Sequence, residues 1–404
     1  SVLRTAFVWK GQREPVQVVL RKASVPWDQL DWMECSAKLQ EEKRSEFLIE
    51  DRKRGFSLNR APLMRITTAR LSADRWFFVW SHHHILMDGW SLPLLMKEFF
   101  DIYHATCEGR ELALSRTRPY GDYIAWLKDW NRDSQSESNW REYLSGFSEP
   151  NDLGLSVSRK KNEGFKEAHL SISSEETATL QRLGQDWELT LNTLVQGAWA
   201  LVLGRHSGRD DVVYGITVSG RPPRMEQVDA MVGLFINTVP FRAKIRDAAT
   251  PKDYLKSIQE KQLSMMSYEY GNLADIQRWS DVPGGQGLFD TLLVFENYPM
   301  GEAIPQNIGG LSVRDVEFAE RTNYPLTLIA IPGRELRLKM SFDSSRLTAS
   351  KAQHLLIHLK GTLMGLTQGL NEIGDIGMID DTERSWLLAR NGKPPVHSFM
   401  EPNL

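Results

Sequence analysis

The sequence predicts an α/β protein of two lobes, each a mixed sheet packed with helices. Three observations carry this. At 404 residues the chain exceeds the ~100–200 residues of an ordinary domain, so a single core is not expected. Apolar residues recur with period two in some stretches and at helical spacing in others, in both halves of the chain. Between the halves, SGFSEPNDLGLSVSRKKNEG is rich in Ser, Gly, Pro, Asn and charge and breaks both patterns. The expected organisation is an N-terminal lobe over 1–150, a linker over 151–165 and a C-terminal lobe over 166–385. Residues 386–404, with GKPPVHS, read as the start of a linker to a following domain.

The first strands are TAFVWKG and PVQVVL, a pair turning at a glycine. A helix is expected from Trp27 to about Arg54, with Gly55 as its stop. PLMRITTARLSADRWFFVWSHHH reads as two strands around a Ser-Ala-Asp turn, and WFFVW, apolar on both faces, predicts a strand inside a covered sheet. Ser91 is expected to cap a helix with Pro93 in its first turn and with Leu94, Leu95, Phe99, Ile102 and Tyr103 on its buried side. YGDYIAWLKDW gives another helix, with Trp126 and Trp130 as core. In the second half, Ser173 and Glu176 predict a capping box for a helix ending near Trp187, and LNTLVQGAWALVLG a more buried helix. DVVYGITVSG, LFINTVPFRAKI and DTLLVFEN read as strands. PLTLIAIPGRELRLKMSF is a hairpin about Pro-Gly, and TASKAQHLLIHLKGTLMGL is a closing amphipathic helix.

Composition narrows the function. Hydrophobic residues make up 41% and charged residues 25%, a soluble balance, and a formal net charge of −3 leaves no electrostatic footprint for nucleic acid. Apolar runs such as FFVW fall far short of the roughly 18 residues of a membrane span, and no signal peptide opens the chain. A cytoplasmic protein without membrane or nucleic-acid partners is expected. The two cysteines, Cys35 and Cys107, allow no disulfide framework or thiolate cage, and both are expected to be buried.

The chemistry concentrates in SHHHILMDGWS, residues 81–91, where a strand gives way to a helix. Shuffling this composition produces H-H-x-x-x-D-G on the order of once per thousand sequences. Strand alternation would put His82 and His84 on one face and His83 on the other, leaving His84 best placed to reach a cleft. Asp88 could orient His84 as a triad carboxylate does, or pin the loop through a buried ion pair with an arginine; the shortness of the loop favours the pin. Gly89 would let the backbone approach a substrate closely. A metal site lacks support, since there is no H-E-x-x-H and His104 and His206 stand isolated in the sequence. No G-x-S-x-G, G-x-G-x-x-G or P-loop pattern occurs, and Ser219 in TVSGR reads as a strand-end turn residue.

With SHHHILMDGWS, four further stretches resemble the condensation domains of nonribosomal peptide synthetases. LRTAF (Leu3 to Phe7) is similar to the latter half of R-H-E-x-L-R-T-x-F, and YGDYIAW (Tyr120 to Trp126) to Y-x-D-[FY]-x-x-W. VGLFINTVPFR (Val232 to Arg242) is similar to V-G-x-F-x-N-T-x-x-x-R, and RTNYPL (Arg321 to Leu326) to R-x-x-x-x-P-L. Three departures stand out: the family's opening helix motif and the R-H-E half are missing, which reads as a truncated first lobe, and YEYGNLADIQ replaces H-Q-D-Y-P-F-E.

The resemblance implies chloramphenicol acetyltransferase-like lobes arranged as a V-shaped pseudo-dimer around a tunnel. In it, carrier domains present a donor acyl or peptidyl thioester and an acceptor aminoacyl thioester on phosphopantetheine arms. This chain would itself bind no cofactor or metal. Its partners would be an upstream donor carrier, a downstream acceptor carrier and a following adenylation domain in the same polypeptide. The catalytic assignment is His84, with His83, Asp88 and Gly89 around it. Trp90, Asn237 and Ser219 are assigned to the substrate tunnel, Asn237 being equally readable as a satisfied core amide, and Arg4 to structural support. Two alternatives are weighed. An epimerisation domain would show V-E-x-H-G-R where this chain has VEFAER, and an idle docking module would tend to lose the second histidine.

Overall fold

The computed structural model describes residues 1–133, 135–155, 164–245, 250–297, 307–320, 322–379, 383–385 and 389. Arg321, GKPPVHS with the rest of 390–404, and 156–163 of the expected linker lie outside the described residues. The chain divides into two compact units. One comprises Ser1–Arg132, Ser219–Ile236 and Tyr298–Glu317; the other comprises Asp133–Val218, Asn237–Asn297 and Phe318–Leu404.

In the first unit, β1 (Thr5–Val8) and β2 (Val16–Val19) form an antiparallel pair. A separate three-stranded sheet holds β3 (Trp27–Asp31), β4 (Met64–Arg70) and β5 (Trp76–His82), with β3 parallel and β5 antiparallel to β4. The helices are α1 (Ala37–Arg54), α2 (Ser91–Cys107) and α3 (Tyr120–Asp133).

Several expectations are corrected here. Trp27–Asp31 is strand, not helix: it pairs along β4, and the helix begins only after Ser36, whose hydroxyl accepts the Leu39 N–H at 3.3 Å. WFFVW is not covered on both faces. Phe77 turns toward α1, meeting Trp32 and Phe47, while Trp76 and Phe78 on the opposite face are 56% and 46% exposed. In α2 the buried residues are Ser91, Pro93, Phe100 and Ala105, while Phe99 and Ile102 are exposed; the capping position belongs to Trp90, and Ser91 is already helical. Cys35 is half-buried and Cys107 exposed, against the expectation of burial.

The second unit is built on a six-stranded mixed sheet in the order β6-β13-β12-β9-β7-β8. Its strands are β6 (Phe165–Ile172), β7 (Asp211–Val218), β8 (Asn237–Lys244), β9 (Thr291–Phe295), β12 (Leu326–Ile331) and β13 (Leu336–Asp343). A two-residue pair, β10 (Asn307–Ile308) and β11 (Leu311–Ser312), precedes β12 and falls within the first unit. The sheet carries α4 (Ser136–Leu144), α5 (Ser174–Trp187), α6 (Leu191–Ser207), α7 (Pro251–Met265), α8 (Leu273–Trp279) and α9 (Ala349–Leu366). The capping box at α5 is present in full: the Ser173 hydroxyl accepts the Glu176 N–H, and the Glu176 carboxylate accepts the Ser173 N–H. α6 is buried from Thr193 to Gly204, as its nearly continuous apolar sequence requires.

The two units do not part near 150. α4 belongs to the second core, with Trp140 and Leu144 fully buried and the Trp140 indole N–H donating to the Tyr268 carbonyl at 3.2 Å. The segments 219–236 and 298–317 return to the first unit. The first of them positions the histidine loop.

Candidate active site

The site is a junction made rigid by a buried carboxylate. β5 ends at His82, two residues short of His84, so the alternation expected from sequence does not extend to it. The His83 N–H donates to the Leu63 carbonyl at 2.9 Å, and the chain then tightens into a 3₁₀ turn over His84–Leu86. Leu86 and Met87 plug into a cluster with Phe7 and Leu63, anchoring the turn from below. His84 is left exposed on the turn, with Gly89 and the exposed Trp90 leading into α2.

The other two imidazoles have different work. His83 Nδ1 accepts the Ile85 N–H at 3.1 Å, which fixes its neutral form with the proton on Nε2. Burial first, and His84 second, hold its pKa below the usual histidine range. His82, against the Trp80 ring, is pushed down to about 4 by burial, with His84 and His83 adding to the effect. At neutral pH both are uncharged.

Asp88 is 2% exposed and its carboxylate accepts from every side. Oδ1 takes the Ser91 N–H at 3.0 Å and the Ser91 hydroxyl at 2.9 Å; Oδ2 takes the Phe235 and Ile236 N–H groups at 2.9 and 3.2 Å. Arg221 Nη2 lies 3.4 Å from Oδ1. None of the described bonds of Asp88 goes to His84, so Asp88 fixes the loop and is not the third member of a triad. The Ser91 hydroxyl also accepts the Gly233 N–H at 3.1 Å, and the Asp88 N–H donates to the Gly233 carbonyl at 3.1 Å, clamping the loop to 233–236.

That partner segment is held in turn by α3. The Tyr120 hydroxyl donates to the Leu234 carbonyl, and the Tyr120 and Tyr123 rings pack on Phe235 with centroids 5.2 and 4.5 Å away. Gly233 permits the approach, because a Cβ there would meet the Tyr120 ring at 2.0 Å. Gly220, at φ 59°, turns the chain so that Arg221 reaches inward, its guanidinium 4.0 Å from the Phe235 ring centroid and donating to the Met231 carbonyl at 3.0 Å.

Three further residues singled out in the sequence have these places in the structure. The Arg4 guanidinium donates to the Leu20 and Arg21 carbonyls and secures the β1–β2 hairpin. Ser219 is an exposed turn residue whose hydroxyl faces the Arg221 N–H at 3.5 Å. Asn237, in the second unit, donates both amide hydrogens to the Glu269 and Gly271 carbonyls at 2.8 Å each and accepts the Thr238 N–H at 3.0 Å, which is the bonding of a satisfied structural amide. Sequence reasoning missed Arg221, whose signal was a Gly-Arg pair directly after a strand. It also missed the Phe235 and Ile236 amides, which no side chain announces. Among the described residues, no group of three or more His, Cys, Asp or Glu is placed to hold a metal ion.

The condensation-domain family model matches residues 1–388, and the chain belongs to that family. Among curated relatives, it is 40% identical over 394 residues to one of the linear gramicidin synthase proteins of Brevibacillus parabrevis, covering 96% of this chain and 5% of that protein. It is 34% identical over 414 residues to surfactin synthase subunit 3 of Bacillus subtilis (strain 168), covering 99% and 32%. The chain thus spans a small part of these relatives. The fold matches the first condensation domain of the calcium-dependent antibiotic synthetase in complex with a substrate analogue, with TM-score 0.72, 18% identity, and coverage of 93% of this chain and 87% of that one. It also matches a holo four-domain nonribosomal peptide synthetase bound to AMP and glycine, with TM-score 0.77, 17% identity, and coverage of 95% and 30%. The fold class is therefore that of condensation domains, the chloramphenicol acetyltransferase-like α/β fold. No described helix is long and apolar enough to cross a membrane.

Proposed function

We propose that this chain joins two carrier-bound substrates by an amide bond. The amine of an acceptor aminoacyl thioester attacks the carbonyl of a donor acyl or peptidyl thioester. The N–C bond forms, the C–S bond breaks, and the product stays on the acceptor arm while the donor arm leaves as its thiol. Both arms are phosphopantetheine groups supplied by carrier domains. Donor and acceptor carriers and an adenylation domain in the same polypeptide are the partners this reading requires, and the much greater length of the relatives supports it.

The observation that carries the reading is the exposed imidazole of His84 on a loop that Asp88 immobilises. An α-amine with a pKa of ~7.7–8.0 is partly neutral already, and a thioester is an activated donor, so a weak base in the right place suffices. His84 orients the amine, accepts its proton as the tetrahedral adduct forms and returns it to the departing sulfur. His83 and Asp88 keep the turn in place, while Gly89 and Trp90 border the approach. The test is to load donor and acceptor carriers, add the chain and weigh the acceptor intact. A dipeptidyl acceptor is the expected product; binding with no product would favour a docking module, and scrambling at Cα an epimerase.

A further inference from the structure

The β1–β2 pair leaves one edge of its ladder open. The Leu20 N–H donates to the Arg4 carbonyl at 2.9 Å, and in the same register Ala6 stands opposite Val18 and Val8 opposite Val16. By antiparallel alternation Val16, Val18 and Leu20 direct their backbone groups toward β1. Phe7 keeps the same phase, its N–H pointing away from β2 to the Leu58 carbonyl at 2.8 Å. Gln17 and Val19 therefore turn their N–H and C=O groups outward, and among the described residues no strand pairs with that edge. The strand is also apolar, with Val16, Val18 and Val19 44%, 40% and 50% exposed. Proteins commonly guard such an edge with a charge or a proline inside the strand. Here Glu14, Pro15, Arg21 and Lys22 flank it and leave its centre open.

The flanking residues fit a second copy of the same strand, added antiparallel across a two-fold axis that makes each contact twice. Because the outward groups sit on alternate residues, the axis must pass through Gln17, Val18 or Val19. An axis at Gln17 sets Arg13 against Arg21 and turns the Val19 carbonyl to Pro15, which has no N–H to give. An axis at Val19 sets Lys22 against Val16. An axis at Val18 instead sets Glu14 against Lys22, Val16 against Leu20 and Val18 against itself, while Gln17 and Val19 exchange backbone bonds across the pair. In that register Pro15 meets Arg21, whose carbonyl already accepts the Arg4 guanidinium at 3.2 Å, so the missing proline N–H strands no acceptor. Glu14 is exposed and only loosely held, 3.9 Å from Lys128, and can turn to the second copy.

We propose that the outer edge of β2 is a self-association surface, on which two copies of this chain pair antiparallel about Val18 to make a continuous four-stranded ribbon. The surface is independent of the amide-forming reading. Sedimentation of the 404-residue chain over a range of concentrations tests it, with a dissociation constant expected on the order of 10–100 µM, the weak class that so small an interface implies. Val18→Lys, which sets two ammonium groups face to face at the axis, and Val19→Pro, which removes an outward N–H and no bond to β1, should each weaken association at least about tenfold with unchanged melting. The register has its own readout. Opposed residues that share no backbone bonds have Cα atoms about 4.5 Å apart, within disulfide reach, so Val18→Cys in a Cys107→Ser background should cross-link under mild oxidation at least about tenfold faster than Val16→Cys. A dimer that survives both Val18→Lys and Val19→Pro, or Val16→Cys linking as fast as Val18→Cys, would overturn the proposal. So would an unaltered chain that stays monomeric at several hundred micromolar, which would leave the edge to an extended strand of another protein.

Discussion

At the scale of single residues, Asp88 shows how a motif letter and its partners can be separated. Asp88→Ala would leave the Phe235 and Ile236 amides and the Arg221 guanidinium buried without their acceptor, at a cost of about 3–5 kcal/mol. Chemical denaturation should show that loss together with reduced turnover; wild-type stability with abolished turnover would mean that Asp88 acts in the chemistry itself. Arg221→Met should also destabilise, by less, because four hydrogen bonds to the carboxylate survive. The histidine triplet and Asp88 were legible because they lie within one short stretch. Arg221 stands 133 residues from Asp88 and the Ile236 amide 148, and a backbone N–H has no letter in the sequence.

Elements were legible where one pattern fixed them. The capping box at Ser173 and Glu176 is a local bargain between two residues, so it survives from sequence to structure unchanged. Ser173→Ala should cost about 1 kcal/mol, read as a lowered unfolding midpoint of the second unit. WFFVW misled because apolarity on both faces implies two covers, whereas α1 covers only the Phe77 side. Trp27–Asp31 misled because pairing to β4, a tertiary contact, overrides its helical spacing. At the junction of α3 with 233–236, Tyr120→Phe removes the hydroxyl that holds the Leu234 carbonyl. It should lower stability by about 1 kcal/mol and slow turnover while leaving His84 itself unaltered, which a KM-against-kcat comparison would register.

For the whole molecule, the restart of pattern in mid-chain revealed two lobes, but not segments that leave one unit to complete the other. The pH dependence of stability is likewise a property of the whole. Burial pushes the Glu269 pKa up to about 7, above its usual carboxylate value of 4.5, so between these limits the folded chain binds the extra proton and stability falls as pH rises. His82 works in the other direction: its folded pKa of about 4 lies below 6.5, so stability falls as pH drops through that window. Glu269→Gln should therefore gain on the order of 2–3 kcal/mol over wild type at pH 8 and little at pH 4, measured by denaturation at both. An equal effect at the two values would show the carboxyl to be solvated. The central claim remains that one exposed imidazole moves the proton of the attacking amine. Its most direct test is the single-turnover rate of amide formation by His84→Ala with saturating loaded carriers and wild-type melting. A fall of about 10²–10⁴ is expected; a rate within a few fold of wild type would contradict the account and leave the acceleration to the tethering of the two substrates.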